Sequence, residues 1–165
     1  MKLIIIFILV EKYEMTLSPR KINLFLMAKL PAAFISGVRL KSISSTQCVT
    51  TAKYKWLNQN PFGSMYFAVQ AMASELATGA LVLKKIKESG NKTSMLVTHN
   101  TGSYFKKVKG RVYFTCTDGH LIDATLQKAF DTKEGQKMLL NVIGVDADGD
   151  EVAQFTYEWS VKVKA

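Results

Sequence analysis

The hydrophobic and polar positions along the chain predict a helix, two strands, a long helix, two strands, a short helix and two more strands. The first helix is expected over residues 18–33, since Ser18 is a good N-cap, Pro19 suits the first helical position, and Pro31 ends the pattern. Alternating β-branched runs at residues 38–43 and 48–57, separated by four polar residues, predict a hairpin.

The long helix is predicted over residues 62–88, where Ala, Met, Leu and Lys predominate and Gly90 ends the pattern. It is apolar nearly all round, which is typical of a helix at the centre of a fold. Strands are expected at residues 94–104 and 110–117, a short helix at 121–130, and strands at 137–146 and 151–163 around an Asp-Gly turn. The pattern predicts an α+β fold with an antiparallel sheet wrapped around one long central helix.

The long helix carries one carboxylate within its apolar stretch, Glu75. Burial of an unpaired carboxylate costs several kcal/mol, so such a residue needs a partner or a chemical role. Two interpretations stand side by side: Glu75 faces a functional site, or it reaches solvent or a lysine at the sheet edge. Its polar neighbours Gln70 and Ser74 either line a channel or bond to each other.

The length of 165 residues and the 48% hydrophobic content indicate one domain with a sizeable core. The net charge is +9, and residues 84–111 hold eight basic residues against one acid, Glu88, giving 8 − 1 = +7. Such a segment favours an anionic partner, namely a phosphate-bearing cofactor, nucleic acid or anionic lipid, although a solvated face is the plain alternative. No nucleic-acid-binding motif accompanies the charge.

The sequence contains no arrangement typical of a metal site. Cys48 and Cys116 lie in strand-like runs and are expected in the core of a protein from a reducing, cytoplasmic compartment. His99 and His120 are isolated from each other. Three alternating aspartates at residues 146–150 resemble the start of a calcium loop but lack the glutamate at its twelfth position, so a hairpin turn explains them better.

Residues 1–17 begin with the apolar run MKLIIIFILV. The run is too short to span a bilayer, and acidic residues follow it where a signal peptide would have a cleavage site. Residues 1–17 are therefore expected to be an apolar arm or edge strand, or an artefact preceding a true start at Met15. Residues 18–165 are expected to form the single domain.

Residues 60–79, NPFGSMYFAVQAMASELATG, resemble a motif of the hotdog thioesterases related to the enzyme of the phenylacetic acid pathway. That motif reads Asn-x-x-Gly-x-x-His-Gly-Gly, with Asp or Glu seven residues after the last glycine. Asn60 and Gly63 match, Glu75 falls on the acidic position, and residues 66–68 replace the His-Gly-Gly triplet. The closer likeness is to an uncharacterised thioesterase-like branch with a degenerate triplet. The resemblance implies a hotdog fold.

The resemblance also implies site residues for hydrolysis of an acyl-CoA thioester. Glu75 would act as general base or nucleophile, Asn60 would orient water or the acyl group, and the backbone N–H groups near Tyr66 and Phe67 would polarise the carbonyl. Asn60 has a second interpretation as a helix cap, with Ser64 as a rival cap, and Tyr66 has one as a packed aromatic. Phe67, in place of a glycine, brings a side chain to the substrate's position.

In the resembled enzymes the region of Lys106, Lys107 and Lys109 meets the phosphates of coenzyme A, which enters as part of the substrate and not as a separate cofactor. Domains of this kind assemble as homodimers or dimers of dimers with the site at the interface. Three functions remain as hypotheses: an acyl-CoA thioesterase, a hotdog module that binds acyl-CoA or a fatty acyl group without hydrolysing it, and a protein peripherally associated with an anionic membrane.

Overall fold

The computed structural model describes residues 18–164, so the expected N-terminal arm at residues 1–17 lies outside the described residues. Two short helices come first, α1 (Pro19–Lys29) and α2 (Pro31–Ile35). Ser18 caps α1 through a 3.5 Å hydrogen bond from the Lys21 backbone N–H, as the sequence predicts. Pro31 ends the first helix and also begins the second, because its fixed φ suits the first helical position.

Six strands form one antiparallel sheet in the order β1-β2-β4-β5-β6-β3. Their bounds are β1 (Arg39–Ile43), β2 (Cys48–Lys53), β3 (Thr93–Tyr104), β4 (Arg111–Cys116), β5 (Gln136–Asp146) and β6 (Glu151–Val163). The hairpins β1–β2 and β5–β6 are those that the hydrophobic alternation predicts. Strand β2 is shorter than expected, because the chain forms a 3₁₀ turn at Trp56–Asn58 after it.

The long helix α3 (Phe67–Ser89) packs on the inner face of the sheet against β2, β4, β5 and β6. Twelve of its residues are buried, including Ala73, Ala77 and Leu81, which lie in the main core. Small side chains let the strands approach the helix closely. A second helix, α4 (Gly119–Thr132), covers β5 and the side of α3. The predicted plan of a sheet around one central helix is confirmed.

The two edges of the sheet differ. At the β1 edge, the side-chain amide of Asn23 in α1 donates to the Leu40 carbonyl at 2.9 Å and accepts from the Leu40 N–H at 2.8 Å. At the other edge, β3 pairs only with β6 among the described strands. One edge is therefore covered by a side chain that replaces a neighbouring strand, and the other presents twelve residues of open backbone.

Cys48 and Cys116 are buried, unbonded thiols that face each other across β2 and β4, in the core positions that the sequence predicts. Burial raises the pKa of Cys116 to about 11. Within residues 18–164, no three His, Cys, Asp or Glu side chains cluster in a way that could hold a metal ion. None of the helices between residues 18 and 164 is long and apolar enough to cross a membrane.

Candidate active site

The loop before α3 is built around Asn60. Its carboxamide oxygen accepts hydrogen bonds from the backbone N–H groups of Phe62 at 3.0 Å and Ser64 at 3.2 Å, and its Nδ2 donates to Ser64 Oγ at 3.1 Å. Gly63 has a φ of +68°, in the left-handed region that favours glycine, and completes the turn. This turn occupies residues where the sequence predicts the first turn of the helix.

Helix α3 consequently begins at Phe67, five residues later than predicted, with Tyr66 at the N-cap and no side-chain cap. The expectation that Asn60 or Ser64 caps the helix is wrong, because Asn60 uses both ends of its carboxamide, and Ser64 its hydroxyl, within the preceding loop. The Tyr66 N–H donates to the Asn58 carbonyl at 2.8 Å. Among the described residues, nothing accepts a hydrogen bond from the N–H of Phe67 or Ala68. The start of the helix therefore has two free donors at its positive dipole end.

A cavity of about 300 Å³ lies at this helix start. Its wall combines polar side chains, aromatic rings and two lysines: Asn60, Phe62, Ser64, Met65, Phe67, Gln70, Tyr104, Phe105, Lys106 and Lys107. Phe67 contacts Tyr66 and Tyr104 edge to face, with ring centroids 4.9 Å and 6.0 Å away. The Phe67 side chain thus occupies part of the space that a glycine would leave open.

Lys106, Lys107 and Lys109, for which the family resemblance implies contact with coenzyme A, differ in their surroundings. Lys106 Nζ contacts Asp146 at 2.7 Å and Asp150 at 2.5 Å, and these two carboxylates raise its pKa. Lys107 lies at the same cavity, and Lys109 is exposed on the same loop; neither has an ion pair with a described residue. The charge of Lys106 is therefore balanced by Asp146 and Asp150, whereas Lys107 and Lys109 have no ion pair within residues 18–164.

Glu75 lies in the middle of α3 and lines a different cavity, of about 210 Å³. Helix α1 closes this cavity on one side, α3 and the strands β3 and β6 form the rest, and the lining is almost entirely apolar: Lys21, Ile22, Phe25, Leu26, Leu30, Glu75, Leu76, Gly79, Ala80, Leu83, Lys87, Met95 and Trp159. Burial raises the pKa of Glu75 above the ordinary glutamate value of 4.5. No lysine within residues 18–164 forms an ion pair with it.

The turn of α3 that carries Glu75 is tied to the sheet through Trp159 and Thr78. The Trp159 indole N–H donates to Thr78 Oγ1 at 2.9 Å, and the Thr78 hydroxyl donates to the Glu75 carbonyl at 2.9 Å. Gly79 lies against both Glu75 and Trp159, so that a Cβ built there would stand 3.0 Å from the Glu75 carboxylate and 3.3 Å from the indole ring. The glycine lets the ring and the carboxylate share one small space.

Sequence reasoning missed Trp159, Thr78 and Gly79 as neighbours of Glu75. A signal for Trp159 was present, since Phe155, Tyr157 and Trp159 alternate along β6 and such alternation directs all three rings to the inner face of the sheet. Thr78 and Gly79 follow Glu75 by three and four residues, which places them one helical turn away. The sequence does not show that Trp159 of β6 packs against this turn of the helix.

The structure brings Asn60, Phe67, Lys106 and Lys107 together at one cavity and places Glu75 at another. Gly63 lies in the loop beside the first cavity, and Tyr66 is half exposed at the helix cap. Glu75 follows Phe67 by eight positions, and at 1.5 Å of rise per residue this corresponds to about 12 Å along the helix. Within one chain, a single thioester carbonyl therefore cannot contact both the N–H of Phe67 and the carboxylate of Glu75.

The basic segment predicted from the sequence does not form one surface. Lys84, Lys85 and Lys87 lie at the C-terminal end of α3, whereas Lys106 and Lys107 lie beside its start, about 30 Å away by helical rise. Lys84 pairs with Glu88, and Lys85 pairs with Asp123 at 2.6 Å. The charge that one stretch of sequence concentrates is thus divided between two ends of the domain.

Residues 20–161 match the model of one protein family, a domain of unknown function designated DUF4442. The chain belongs to the DUF4442 family. Since the match covers most of the chain, this DUF4442 domain includes both cavities and all of α1 and the sheet except Pro19 and the last two residues of β6. No curated protein matches the sequence.

Solved structures resemble this DUF4442 domain along most of its length. A Pseudomonas aeruginosa protein of unknown function, called a probable thioesterase, is 20% identical with a TM-score of 0.75, covering 88% of this chain and 97% of its own. A Chlorobaculum tepidum protein of unknown function is 17% identical with a TM-score of 0.76, covering 90% and 99%. A thioesterase from Haemophilus influenzae is 12% identical with a TM-score of 0.70, covering 92% and 94%.

Identities of this size establish the fold alone, and the fold is that of the hotdog thioesterases. The expected α+β hotdog architecture, with its long central helix and additional N-terminal helix, is confirmed. The resemblance to a thioesterase-like family that residues 60–79 suggest is also confirmed.

Proposed function

We propose that this protein hydrolyses an acyl-CoA thioester, with Glu75 as the general base or nucleophile. The observation that carries the proposal is the carboxylate of Glu75, which lies in an apolar cavity, has no ion pair within residues 18–164, and has a raised pKa because of burial. A carboxylate in such surroundings is a strong base relative to one in water. The fold supports a thioester as the substrate class.

In this mechanism the free N–H groups of Phe67 and Ala68 bind the thioester carbonyl oxygen. Glu75 removes a proton from water as the water oxygen attacks the carbonyl carbon, and the negative charge that develops on the carbonyl oxygen is stabilised by the N–H groups. When the tetrahedral intermediate collapses, the carbon–sulfur bond breaks. Glu75 returns the proton to the departing thiolate, so that a free acid and a thiol leave and the carboxylate is regenerated.

The distance of about 12 Å along α3 requires that the carboxylate and the N–H groups come from different copies of the chain. We therefore propose a homodimer in which Glu75 of one protomer faces the helix start of the other. The open edge of β3 supports strand-to-strand pairing, because its sequence, TSMLVTHNTGSY, has no proline, lysine or acidic residue to block pairing. The β1 edge is covered by Asn23 and is unsuited to this contact.

Lys107 and Lys109 are the residues proposed to bind the phosphates of coenzyme A. Both lie on the loop beside the helix-start cavity and lack ion pairs with other described residues, whereas Lys106 is held by Asp146 and Asp150. Lys106 would fix the loop so that its two neighbours present their charges. The unbonded thiols of Cys48 and Cys116 are compatible with the cytoplasm, where acyl-CoA is present and thiols stay reduced.

A second candidate function is binding of acyl-CoA without hydrolysis. The observation in its favour is the Phe67 side chain, which lines the helix-start cavity where the related motif has glycine. A ring at this position narrows the approach of a carbonyl to the N–H groups. The two functions predict different results for Glu75→Gln: a hydrolase loses thiol release, whereas a binding module releases no thiol with or without Glu75.

The test is thiol release from acyl-CoAs of increasing chain length, measured with the wild-type protein, Glu75→Gln and the control Glu134→Gln, which alters an exposed glutamate after α4. Loss of a general base lowers turnover by about 10² to 10⁴-fold. We expect that loss for Glu75→Gln and wild-type turnover for Glu134→Gln. If the wild type binds acyl-CoA but releases thiol no faster than Glu75→Gln, the protein is a binding module and the hydrolase proposal is wrong.

A further inference from the structure

The cavity beneath α1 has an apolar interior and a positively charged rim. The buried residues of its lining are apolar: Ile22, Leu26, Leu76, Ala80 and Trp159. The exposed residues of its lining combine two apolar side chains with two lysines: Lys21, Phe25, Leu30 and Lys87. Exposed lining residues mark the side on which a cavity opens to solvent. An apolar group that enters this cavity therefore passes a rim that carries two ammonium groups.

Neither ammonium group of the rim has an ion pair with a residue between 18 and 164. Lys87 lies in the last turn of α3, where the helix dipole favours a cation. Lys21 lies in the first turn of α1, where the dipole disfavours a cation, so the stability of its helix does not account for it. Two uncompensated positive charges at the opening of one cavity favour an anionic group there.

The interior limits the size of the apolar part of a ligand. Protein interiors contain few voids larger than a water molecule, and apolar voids stay dry and bind apolar molecules. A void of about 150 Å³ lined by Leu, Ile and Phe binds benzene, which has six carbons. The cavity beneath α1 has a volume of about 210 Å³ and accordingly has room for about eight carbons. A lipid with two long chains is too large for it.

Glu75 determines the direction in which an anionic ligand lies. The charged residues that line the cavity are Lys21, Glu75 and Lys87. Lys87 follows Glu75 by twelve positions on α3, which corresponds to about 18 Å of helical rise. The Glu75 carboxylate repels an anionic group and the ammonium of Lys87 attracts it. The anionic end of a ligand therefore lies at Lys87, and the apolar chain points toward Glu75.

We propose that the cavity beneath α1 binds the anion of a fatty acid of about eight carbons, and that the bound acid inhibits hydrolysis by covering Glu75. The choice of a carboxylate and the inhibition rest on the proposed function, because hydrolysis of an acyl thioester releases a free acid beside Glu75. A chain that ends at Glu75 excludes the water that this carboxylate activates. The acid whose chain fits the cavity best thus slows its own formation.

Calorimetry on the wild type first tests the interior and the rim with ligands alone. The ligands are butanoate, hexanoate, octanoate and dodecanoate, with 1-octanol and octylammonium as chains of equal length that carry a neutral and a positive head. Each methylene that enters apolar surroundings tightens binding by about fourfold. The dissociation constant should fall by that factor per methylene up to about eight carbons and then level off. Octanol and octylammonium should bind more weakly than octanoate.

Two variants locate the carboxylate. Lys21→Met combined with Lys87→Met keeps both side chains long and removes both charges of the rim. The matched control combines Lys53→Met and Lys128→Met, at exposed lysines that lie outside the cavity and have no ion pair within residues 18–164. The rim variant should bind octanoate about fivefold or more weakly and octanol as the wild type does. The control should bind both ligands as the wild type does.

Trp159 reports whether the chain reaches the interior. The sequence has two tryptophans, and the other one, Trp56, is 80% exposed, so Trp56→Phe leaves Trp159 as the remaining fluorophore. Octanoate should change the emission of Trp159 in this variant, and butanoate should change it less. The proposal is overturned if octanoate does not bind, if octanol binds as tightly as octanoate, if the rim variant and its control bind octanoate equally, or if octanoate leaves the emission of Trp159 unchanged.

Thiol release from octanoyl-CoA separates this inference from the proposed function. Octanoate should inhibit the wild type, and its inhibition constant should be about fivefold higher for the rim variant. If octanoate binds as expected but the wild type releases no thiol, the hydrolase proposal fails and the fatty-acid site stands. If thiol is released and octanoate does not bind, hydrolysis stands and the fatty-acid site is wrong. Release of thiol that bound octanoate does not slow would overturn the inhibitory role.

Discussion

Glu75 and Phe67 lie on the same helix, yet the Glu75 carboxylate opens into the cavity beneath α1 and the free Phe67 N–H lies at the cavity before α3. The rise between them is about 12 Å. A base and a carbonyl-polarising donor must each be within about 3 Å of the reacting group. This separation is the reason for proposing that the base and the donor of one site come from two chains that pair along the unblocked β3 edge.

The pH dependence of hydrolysis should follow Glu75. Because burial raises its pKa, the carboxylate becomes available as a base only above the ordinary value of 4.5. A plot of log kcat/KM against pH should rise with unit slope below this raised pKa and level off above it, and Glu75→Gln should lose that rise along with the activity. A profile whose acidic limb lies at or below pH 4.5 would assign the limb to a different group.

The raised pKa of Glu75 also affects stability. As the pH rises, activity should increase, whereas the free energy of unfolding should decrease. A raised carboxyl pKa means that the folded state binds the proton more tightly than the unfolded state. The contribution of Glu75 to stability is therefore complete below the pKa that it has in the unfolded state, and it is lost as the pH rises through the pKa that it has in the folded state. The free energy of unfolding of the wild type should therefore fall relative to that of Glu75→Gln across this interval. Urea denaturation of both proteins at a series of pH values measures the difference.

Gly79→Ala should lower kcat while leaving the protein folded. The added Cβ would stand 3.0 Å from the Glu75 carboxylate and 3.3 Å from the Trp159 ring, so one of them must move. Alanine also favours a helix over glycine by about 1 kcal/mol, which offsets part of the steric cost in the melting temperature. Gly110→Ala is the matched control, because a Cβ there meets no atom within 4 Å. Equal kcat for both variants would show that the position of the Glu75 carboxylate is not critical.

Gln70→Met should stabilise the protein in the absence of ligand. The buried Oε1 of Gln70 has no hydrogen-bond partner within residues 18–164. An unsatisfied buried acceptor costs about 1 to 3 kcal/mol, and methionine removes it at nearly constant length. Chemical denaturation should show a free energy of unfolding higher by about 1 kcal/mol, whereas the control Gln154→Met, at an exposed position of β6, should change it by less than about 0.5 kcal/mol. A Gln70→Met protein that is clearly less stable than the wild type would indicate that a structural water or an internal partner satisfies Gln70.

Removal of the Lys107 and Lys109 charges together should weaken recognition of coenzyme A and not of the acyl group. Substitution of both by Met should raise KM for an acyl-CoA several-fold, with a smaller dependence of KM on salt, because phosphate contacts are charge-assisted and screened. KM for the same acyl group on N-acetylcysteamine, which lacks phosphates, should stay unchanged. If Lys106→Met alone raises KM for acyl-CoA as strongly as the double substitution, Lys106 also contacts the phosphates.

The parts of the fold that were predictable from the sequence are those set by periodicity. The alternation in β6 and the nearly all-round apolarity of α3 predicted three of the four boundaries of these two elements to within one residue, and only the start of α3 was missed. That start was missed because Asn60 and Gly63 form a loop whose residues also suit a helix cap and first turn. The choice depends on where the Asn60 carboxamide bonds, which propensity does not determine.

The candidate site was predictable from the sequence only where local pattern determines it. Glu75 could be identified as the polar exception on an apolar helix, but the sequence does not show that it and Asn60 face different cavities. Lys106 was indistinguishable in sequence from Lys107, since its partners Asp146 and Asp150 lie about forty residues away. Pairing between distant residues, and not local pattern, decides which charges remain available to a ligand.

In the proposed dimer, Glu75 of one protomer acts with the helix start of the other. Phe67→Pro tests the helix start, because proline at the first helical position removes only an N–H that has no partner within the described chain and keeps the backbone favourable. Phe67→Ala is its control, since alanine removes the ring but keeps the N–H. Phe67→Pro should lose hydrolysis to a much greater extent than Phe67→Ala.

The most direct measurement is thiol release by mixed dimers of Glu75→Gln and Phe67→Pro, produced together in one cell with different affinity tags. Each variant alone should be nearly inactive. In a purified mixed dimer, one site combines both defects and the other receives an intact Glu75 from one chain and an intact N–H from its partner, so about half of the wild-type activity should return. Mixed dimers no more active than either parent would contradict a site shared between two protomers.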